Sequence, residues 1–420
     1  MLSVSDALTV ILAQVEALAA ETVPLPDALG RVLAEEVVAD RDSPPFTKAL
    51  MDGYAVRSAD VVTGLAELAV IEEVTAGKVP SRVVGPGEAT RIMTGAPLPA
   101  GADAVVPVEV TTCTPRVEWE QGEAGCEGAT GLGVVTIRSK PVQLGQSVLP
   151  QGASLRAGNS VLTPGIELGP QHIGALGELG KATIRVHRRP RVAIIATGDE
   201  LVPLNETPGP GQIRNSNEAM LAAQVAGMGA IPVPLGIARD NAADLAAKIR
   251  LGLAADVLLL SGGVSAGILD LVPQTLQAAG VRELFHRVRL KPGQPLWYGV
   301  RPSTAEQPPC HVFGLPGNPV SSMVCCDLFG RAAIRKLRGQ TPVLRPALRA
   351  RLVNQFNHRG DRPTYHPAII TPSDTGYTAQ TVRWIGSADL CATVEANGVI
   401  AFPAGEYSYS PDTIVEAFLW

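Results

Sequence analysis

Aromatic residues are scarce in this 420-residue chain, at 4%, and basic charge is not in excess: 35 Lys and Arg face 40 Asp and Glu, for a formal net charge of −5. Nucleic-acid binders need clustered cations for phosphates and aromatic platforms for unstacked bases, so both shortages argue against that class. No apolar run reaches the roughly 18–20 residues that span a bilayer. The opening Met1-Leu2-Ser3-Val4-Ser5-Asp6 lacks the basic and apolar regions of a secretory signal. Six cysteines occur without a Cys-x-x-Cys, and six histidines form neither His-Glu-x-x-His nor His-x-His. These absences point to a reduced, cytoplasmic protein with neither a disulfide framework nor a protein-built zinc site.

What is present is material for large cores. Apolar residues make up 46% of the chain and charged residues 18%, and the length fits roughly three domains. Leu8, Ile11, Leu12, Val15 and Leu18 recur at three- and four-residue steps behind a Ser5-Asp6 cap signal, which predicts an N-terminal helix. From about 42 to 153, short apolar runs at 69–71, 91–93 and 104–106 stand between Gly and Pro, the texture of a β-rich domain. The segment 123–131 reads as a hairpin tip. Arg185, His187, Arg188, Arg189 and Arg191 surround Pro190; a charge run of this kind reads as a solvated linker, with an anion-attracting patch as the alternative.

From 191 the pattern becomes α/β. The continuous apolar run 192–196 has buried-strand length and ends in Thr197-Gly198-Asp199-Glu200. Asn215-Ser216-Asn217 caps a helix to about 227, and 231–235 is a Pro-interrupted strand. A helix around 241–253 precedes the strand 257–260, which runs into Ser261-Gly262-Gly263-Val264-Ser265-Ala266-Gly267 and a helix from about Asp270. The strand 311–313 leads to Gly314-Leu315-Pro316-Gly317-Asn318-Pro319 and a helix to about Arg338. This alternation predicts a doubly wound, mostly parallel sheet, with ligands beyond the carboxyl ends of its strands. Past 339 the helical period gives way to apolar–polar alternation, expected to form a small β-barrel or sandwich.

The loops carry the chemistry. Consecutive backbone N–H groups at 261–267, ahead of a helix, suit a phosphate or another oxyanion. Gly263 to Gly267 also matches a Gly-x-Ser-x-Gly nucleophile elbow, but Ser261-Gly262 intervenes after the strand and Ile268-Leu269 before the cap. Acids gather at strand ends: Asp199 and Glu200, then Asp240, then Asp270. Near a phosphate loop they suggest Mg²⁺ bridging carboxylate and phosphate oxygens; a helix-cap role for Asp240 and Asp270 is the alternative. Lys291-Pro292-Gly293-Gln294-Pro295 places a cation in a tight loop, either as a phosphate contact or as an ordinary solvated lysine. Cys325-Cys326 reads as core packing.

Several segments together resemble one family, the molybdopterin molybdenumtransferases, which include bacterial molybdenum insertases and the E domain of gephyrin. They are Ser43-Pro44-Pro45-Phe46 with 51–57, Arg91-Ile92-Met93-Thr94-Gly95-Ala96, Thr197-Gly198-Asp199-Glu200-Leu201, 211–217, Ser261-Gly262-Gly263-Val264-Ser265, Lys291-Pro292-Gly293 and 314–321. The resemblance implies an elongated multi-domain subunit. Its parts would be a discontinuous linking domain at 1–41 and 154–187, a β-rich insertion domain at 42–153, an α/β molybdopterin-binding domain at 188–338, and a C-terminal β-barrel-like domain at 339–420. It further implies a homodimer that uses Mg²⁺ to act on adenylylated molybdopterin and molybdate, releasing AMP. Further implied partners are the molybdopterin adenylyltransferase and apo-molybdoenzymes. By position, Asp52 and Thr94 would project into a cleft shared with the partner subunit. Glu200, Asp240 and Asp270 would handle Mg²⁺, nucleotide or molybdate. Lys291 and Arg287 would face the anionic ligand, Ser387 the molybdate end, and the loop with Pro316, Gly317, Asn318 and Pro319 the pterin.

Three positions depart from the family pattern. Thr47 stands where the Pro-Pro-Phe segment usually continues with Asp, Ser154 where a turn usually carries a carboxylate, and Gln294 where a second lysine is expected. They motivate a second reading, a non-catalytic molybdopterin-binding or scaffold relative.

Overall fold

The structure, a computed structural model, describes residues 1–114, 132–264, 271–305 and 307–420. The hairpin tip expected at 123–131 lies outside them. The chain divides into two compact units, Met1–Glu35 with Pro164–Trp420, and Glu36–Thr163.

The unit Glu36–Thr163 is built on a six-stranded sheet. Its strands, from edge to edge, are Ala104–Pro107, Gly53–Val56, Glu88–Ile92, Leu65–Val74, Val134–Arg138 and Thr111–Thr114. Alternate residues feed a core that includes Tyr54, Val56, Leu68, Val106 and Ile137. Gly53 opens its strand because nothing larger fits: a Cβ there would lie 1.9 Å from the Val106 carbonyl oxygen. That close approach sets the position of Asp52 immediately before the strand.

The other unit begins with the helix Val4–Gln14. Its cap is Ser3, not the expected Ser5-Asp6: Ser3 accepts from the Asp6 amide, and Asp6 reaches back to the Ser3 amide. This reciprocal pair satisfies two otherwise orphaned N–H groups. The arginine run at 185–191 is not a solvated linker. Thr183–His187 is a strand paired with Ala20–Pro24, and Arg188 donates to both carboxylate oxygens of Asp256, whose side chain is buried.

The α/β sheet has strands β1 (Arg191–Thr197), β2 (Ile231–Ala238), β3 (Val257–Ser261), β4 (Arg282–His286), β5 (Trp297–Arg301) and β6 (Cys310–Leu315), in the order β2-β1-β3-β6-β5-β4. β2, β1, β3 and β6 run parallel; β5 and β4 add antiparallel pairs at the far side. Both faces are covered, which explains the unbroken apolar runs. Val192 and Ile194 of β1 pack with Leu221 and Val225 on one face, while Ala193 and Ile195 pack with Leu245 and Ile249 on the other. β2 keeps Pro232 and Pro234 because it is an edge strand, where a missing N–H costs no ladder bond. Cys325 and Cys326 are fully buried in this core.

Past the last helix, Leu348–Leu352, Gly376–Thr381, Thr364–Ser373, Gly398–Phe402 and Ile414–Leu419 form a closed five-stranded barrel. Ala350, Ala368, Ala379 and Ala417 face its interior, where a small barrel has room only for such side chains beside Ile370 and Phe402. Arg345 ties the barrel to the α/β sheet: it bonds the Leu419 carbonyl and the buried Asp327, which also holds Arg331. Among the described residues no helix is long and apolar enough to cross a membrane.

Candidate functional site

At the carboxyl ends of the parallel strands lies a cavity of about 1080 Å³. Glu200 reaches it from the loop after β1 and Asp240 from the loop after β2. Ser261, Gly262 and Gly263 enter from β3, and Pro316, Gly317, Asn318 and Pro319 from β6. Asp389 and its neighbours add a segment that precedes the last barrel strands, so the structure brings together residues that stand up to 194 positions apart, from Thr197 to Cys391.

Each loop is held by specific bonds. The Asp199 amide donates to Asp240 Oδ2 at 3.3 Å, and the Asp240 amide returns a bond to Asp199 Oδ1 at 3.2 Å. Asp240 is not the cap of the following helix. Asn241 holds that position, accepting from the Asp244 amide at 2.9 Å, so the Asp240 carboxylate is left to face the cavity. Gly262 has φ +97°, and a Cβ there would sit 2.8 Å from the Thr197 carbonyl oxygen; only glycine meets both demands. Asn217 Nδ2 donates to Ser261 Oγ and to the Gly317 carbonyl, each at 2.7 Å, which ties the β3 and β6 loops to one helix start. Among the described residues no three His, Cys, Asp or Glu side chains gather as a metal-holding set. Glu200 and Asp240 are the described strand-end acids that could serve Mg²⁺, which is commonly held by one or two carboxylates plus substrate phosphates. Ser265 and Asp270 lie outside the described residues, and with them the expected nucleophile elbow and third acid.

A smaller cavity of about 330 Å³ shares Pro295, Pro316 and Asn318 with the larger one. Lys291 and Ser387 line it, joined by Ser321 at the end of the family segment 314–321 and by one residue the sequence did not single out, Arg362. Asn318 Nδ2 donates to Ser387 Oγ at 2.9 Å. The Lys291 amide donates to the Pro363 carbonyl and the Tyr365 amide to the Lys291 carbonyl, each at 2.8 Å, which brings the Lys-Pro-Gly loop against the barrel. Arg362 comes with that barrel segment and donates to the amide oxygen of Gln294. Two cations and two hydroxyls thus line this space, a setting for an oxyanion, although Arg362 Nε also donates to the exposed Asp361 carboxylate at 3.1 Å, which offsets part of its charge. No spacing in the sequence signals Arg362, because it stands 71 positions from Lys291. Arg287 lines neither cavity; it is exposed, with φ 74°.

In the other unit Asp52 and Thr94 meet directly. The Thr94 hydroxyl and amide both donate to Asp52 Oδ1, at 2.6 and 2.7 Å. Bonding from the Thr94 hydroxyl, then from its amide, holds the Asp52 carboxyl below the usual carboxylate range. The departures from the family pattern have local work as well. Thr47 Oγ1 accepts from the Gln151 amide at 3.2 Å, and the Ser154 amide donates to the Ser43 carbonyl at 3.0 Å, so Thr47 and the backbone at 154 secure the turn where the carboxylate is missing.

Residues 2–180 match the MoeA N-terminal region (domain I and II), 193–336 a probable molybdopterin binding domain, and 349–420 the MoeA C-terminal region (domain IV). The chain is 31% identical to a molybdopterin molybdenumtransferase of Staphylococcus aureus, over 99% of this chain and 95% of that one. It is 36% identical to a protein of the same name from Nostoc sp., over 92% and 85%. The crystal structure of a molybdopterin biosynthesis moeA protein from Pyrococcus horikoshii superposes with a TM-score of 0.81 at 28% identity, covering 100% of both chains.

Proposed function

This chain belongs to the molybdopterin molybdenumtransferase family, and from that premise we propose that it is a transferase of molybdenum cofactor biosynthesis that inserts molybdenum from molybdate into adenylylated molybdopterin. The observation that carries this reading is the pairing of two adjoining cavities of opposite character, one lined by acids and a glycine loop, the other by cations and hydroxyls.

The larger cavity takes the nucleotide and its phosphates. The Gly262 N–H is held by the Leu315 carbonyl at 3.1 Å, which leaves the turn at Gly263 to offer backbone N–H to phosphate oxygens, and Asn217 keeps that loop in register with Gly317. Glu200 and Asp240, with Asp270 by resemblance, would hold Mg²⁺, which would supply charge neutralisation at the phosphate oxygens and so make the anhydride phosphorus a better electrophile. The smaller cavity takes molybdate, with Lys291 and Arg362 meeting its charge and Ser321 and Ser387 its oxygens. Addition of one water across the phosphoanhydride breaks a P–O bond and frees AMP. One molybdate oxygen leaves as water, taking two protons from the two pterin thiols, as the two molybdenum–sulfur bonds form. Asp52, kept ionised by Thr94, and Thr94 itself are the proposed contributions of the β-rich unit. By resemblance the working form is a cytoplasmic homodimer, supplied by the molybdopterin adenylyltransferase and serving apo-molybdoenzymes.

The test combines purified protein with adenylylated molybdopterin, Mg²⁺ and molybdate, following AMP and pterin-bound molybdenum together. Molybdate-dependent AMP release with matching metal incorporation is expected. Tight pterin binding with no AMP release would overturn the insertase in favour of a binding or scaffold role, with Ser154 and Gln294 as the first suspects.

A further inference from the structure

The larger cavity presents an electrostatic difficulty. Its described charged lining consists of Glu200, Asp240 and Asp389 against a single cation, Arg214. A phosphate-bearing ligand entering beside three carboxylates is repelled unless positive charge meets it, and a divalent ion held by the acids answers only part of that repulsion.

Arg214 is built to answer the rest. It lies on the two-residue strand Ile213–Arg214, paired in parallel with Leu201–Val202. The next amide, that of Asn215, donates to the Val202 carbonyl at 2.9 Å. Asn215 is itself buried and caps the helix Ser216–Gly227, so the Arg214 backbone is fixed from both sides. Its Nε donates to the Glu206 carbonyl at 3.1 Å, which sets the plane of the guanidinium. Arg214 is exposed at the cavity mouth; both its Nη atoms are without a protein partner among the described residues and open to solvent, and its side chain forms no ion pair there with any of the three acids. An arginine anchored through Nε, with its Nη fork unspent at the start of a twelve-residue helix, has the geometry for two oxygens of one phosphoryl group.

We propose that Arg214 is the phosphate-binding residue of the larger cavity, taking two oxygens of a substrate phosphoryl group between its Nη atoms. This rests on the reading that the ligand carries a nucleotide phosphate. The guanidinium separates ligands by the presence of phosphate, and the acids separate them by the metal they carry.

The experiment measures binding of AMP, adenosine and inorganic pyrophosphate to the full chain by calorimetry with Mg²⁺ present, in the wild type, Arg214→Ala and Arg214→Lys. The KM for adenylylated molybdopterin is measured in the same three proteins. Arg214→Ala is expected to weaken AMP binding roughly 10- to 100-fold, while adenosine binding and the thermal midpoint stay at wild-type values. Arg214→Lys is expected to restore part of the loss, because a point charge replaces the fork. Loss for pyrophosphate but not AMP would still support the proposal and assign the contact to the pterin-side phosphate. Wild-type binding of AMP and of pyrophosphate together with a wild-type KM in Arg214→Ala would overturn it, as would equal losses for AMP and adenosine. A wild type that releases AMP with an unchanged KM in Arg214→Ala sinks this inference alone. A wild type that neither binds nor releases AMP sinks the insertase reading with it.

Discussion

Two neighbouring cavities share three residues and little else. The larger one is made at the ends of parallel strands, from loops whose glycines and acids sit a few residues past each strand, and its described charges are mostly negative. The smaller one is made where the Lys-Pro-Gly loop meets the barrel, and its described charges, Lys291 and Arg362, are both positive. The contrast teaches how one chain can sort the two ends of a composite ligand. A site that works with a metal on phosphates has to be acidic, because it must hold the metal first. A site that takes a free oxyanion has to be basic, because nothing else comes to neutralise it.

That division can be broken by substitution. The largest effect is expected for Asp240→Asn, which should lower the rate of Mg²⁺-dependent AMP release by a factor on the order of 10²–10³ while leaving molybdate affinity unchanged. If molybdate affinity falls in parallel, the two cavities are one site and the contrast is lost.

A perturbation beneath both cavities should move them together. His311 on β6 is 1% exposed, and burial pushes its imidazole down to about 4. Its ring nitrogen is hydrogen-bonded to the Tyr298 hydroxyl at 3.0 Å. The folded chain therefore resists a proton that the unfolded chain accepts near pH 6.5. Stability is complete above that pH and falls as the pH drops toward 4, by about 3 kcal/mol from this residue. Urea midpoints at pH 7 and pH 4.5 measure the loss, and His311→Gln should flatten it. An equally steep loss in that variant would assign the transition to other groups.

The third expectation concerns the basic cavity alone. Lys291→Ala should raise the molybdate KM roughly 10-fold with AMP binding intact. The smallest and most particular is Gln294→Lys, which adds a cation where Gln294 now holds Arg362. It should lower the molybdate KM by about 3-fold if charge is limiting there. A rise instead would mean that orienting Arg362 matters more than adding charge.

Much of the larger cavity was legible along the chain, because in a parallel sheet the functional loops follow the strands directly. The run 192–196 can only be a strand buried on both faces, and what comes after it, through Glu200, has to lie at the sheet's carboxyl edge. The Asn215 cap was legible for the same local reason. The smaller cavity was not, since Lys291 and Arg362 meet only because the barrel folds back onto the loop after β4. β4 and β5 themselves escaped notice. Their antiparallel pairing leaves no helix between them, and the polar ends of Arg282–His286 hide the strand period.

From the sequence alone came the strand runs, the loops that follow them, and a set of acids and glycines whose order matches one family; these are local properties, set by side-chain period and turn chemistry. Only the tertiary structure decided which charges share a space. It freed Asp240 by letting Asn241 cap the helix, set Arg287 aside, placed Arg214 among the acids of the larger cavity, and brought Arg362 to Lys291. The physical reason is that a Coulomb interaction depends on distance through space, and distance along the chain carries almost none of it.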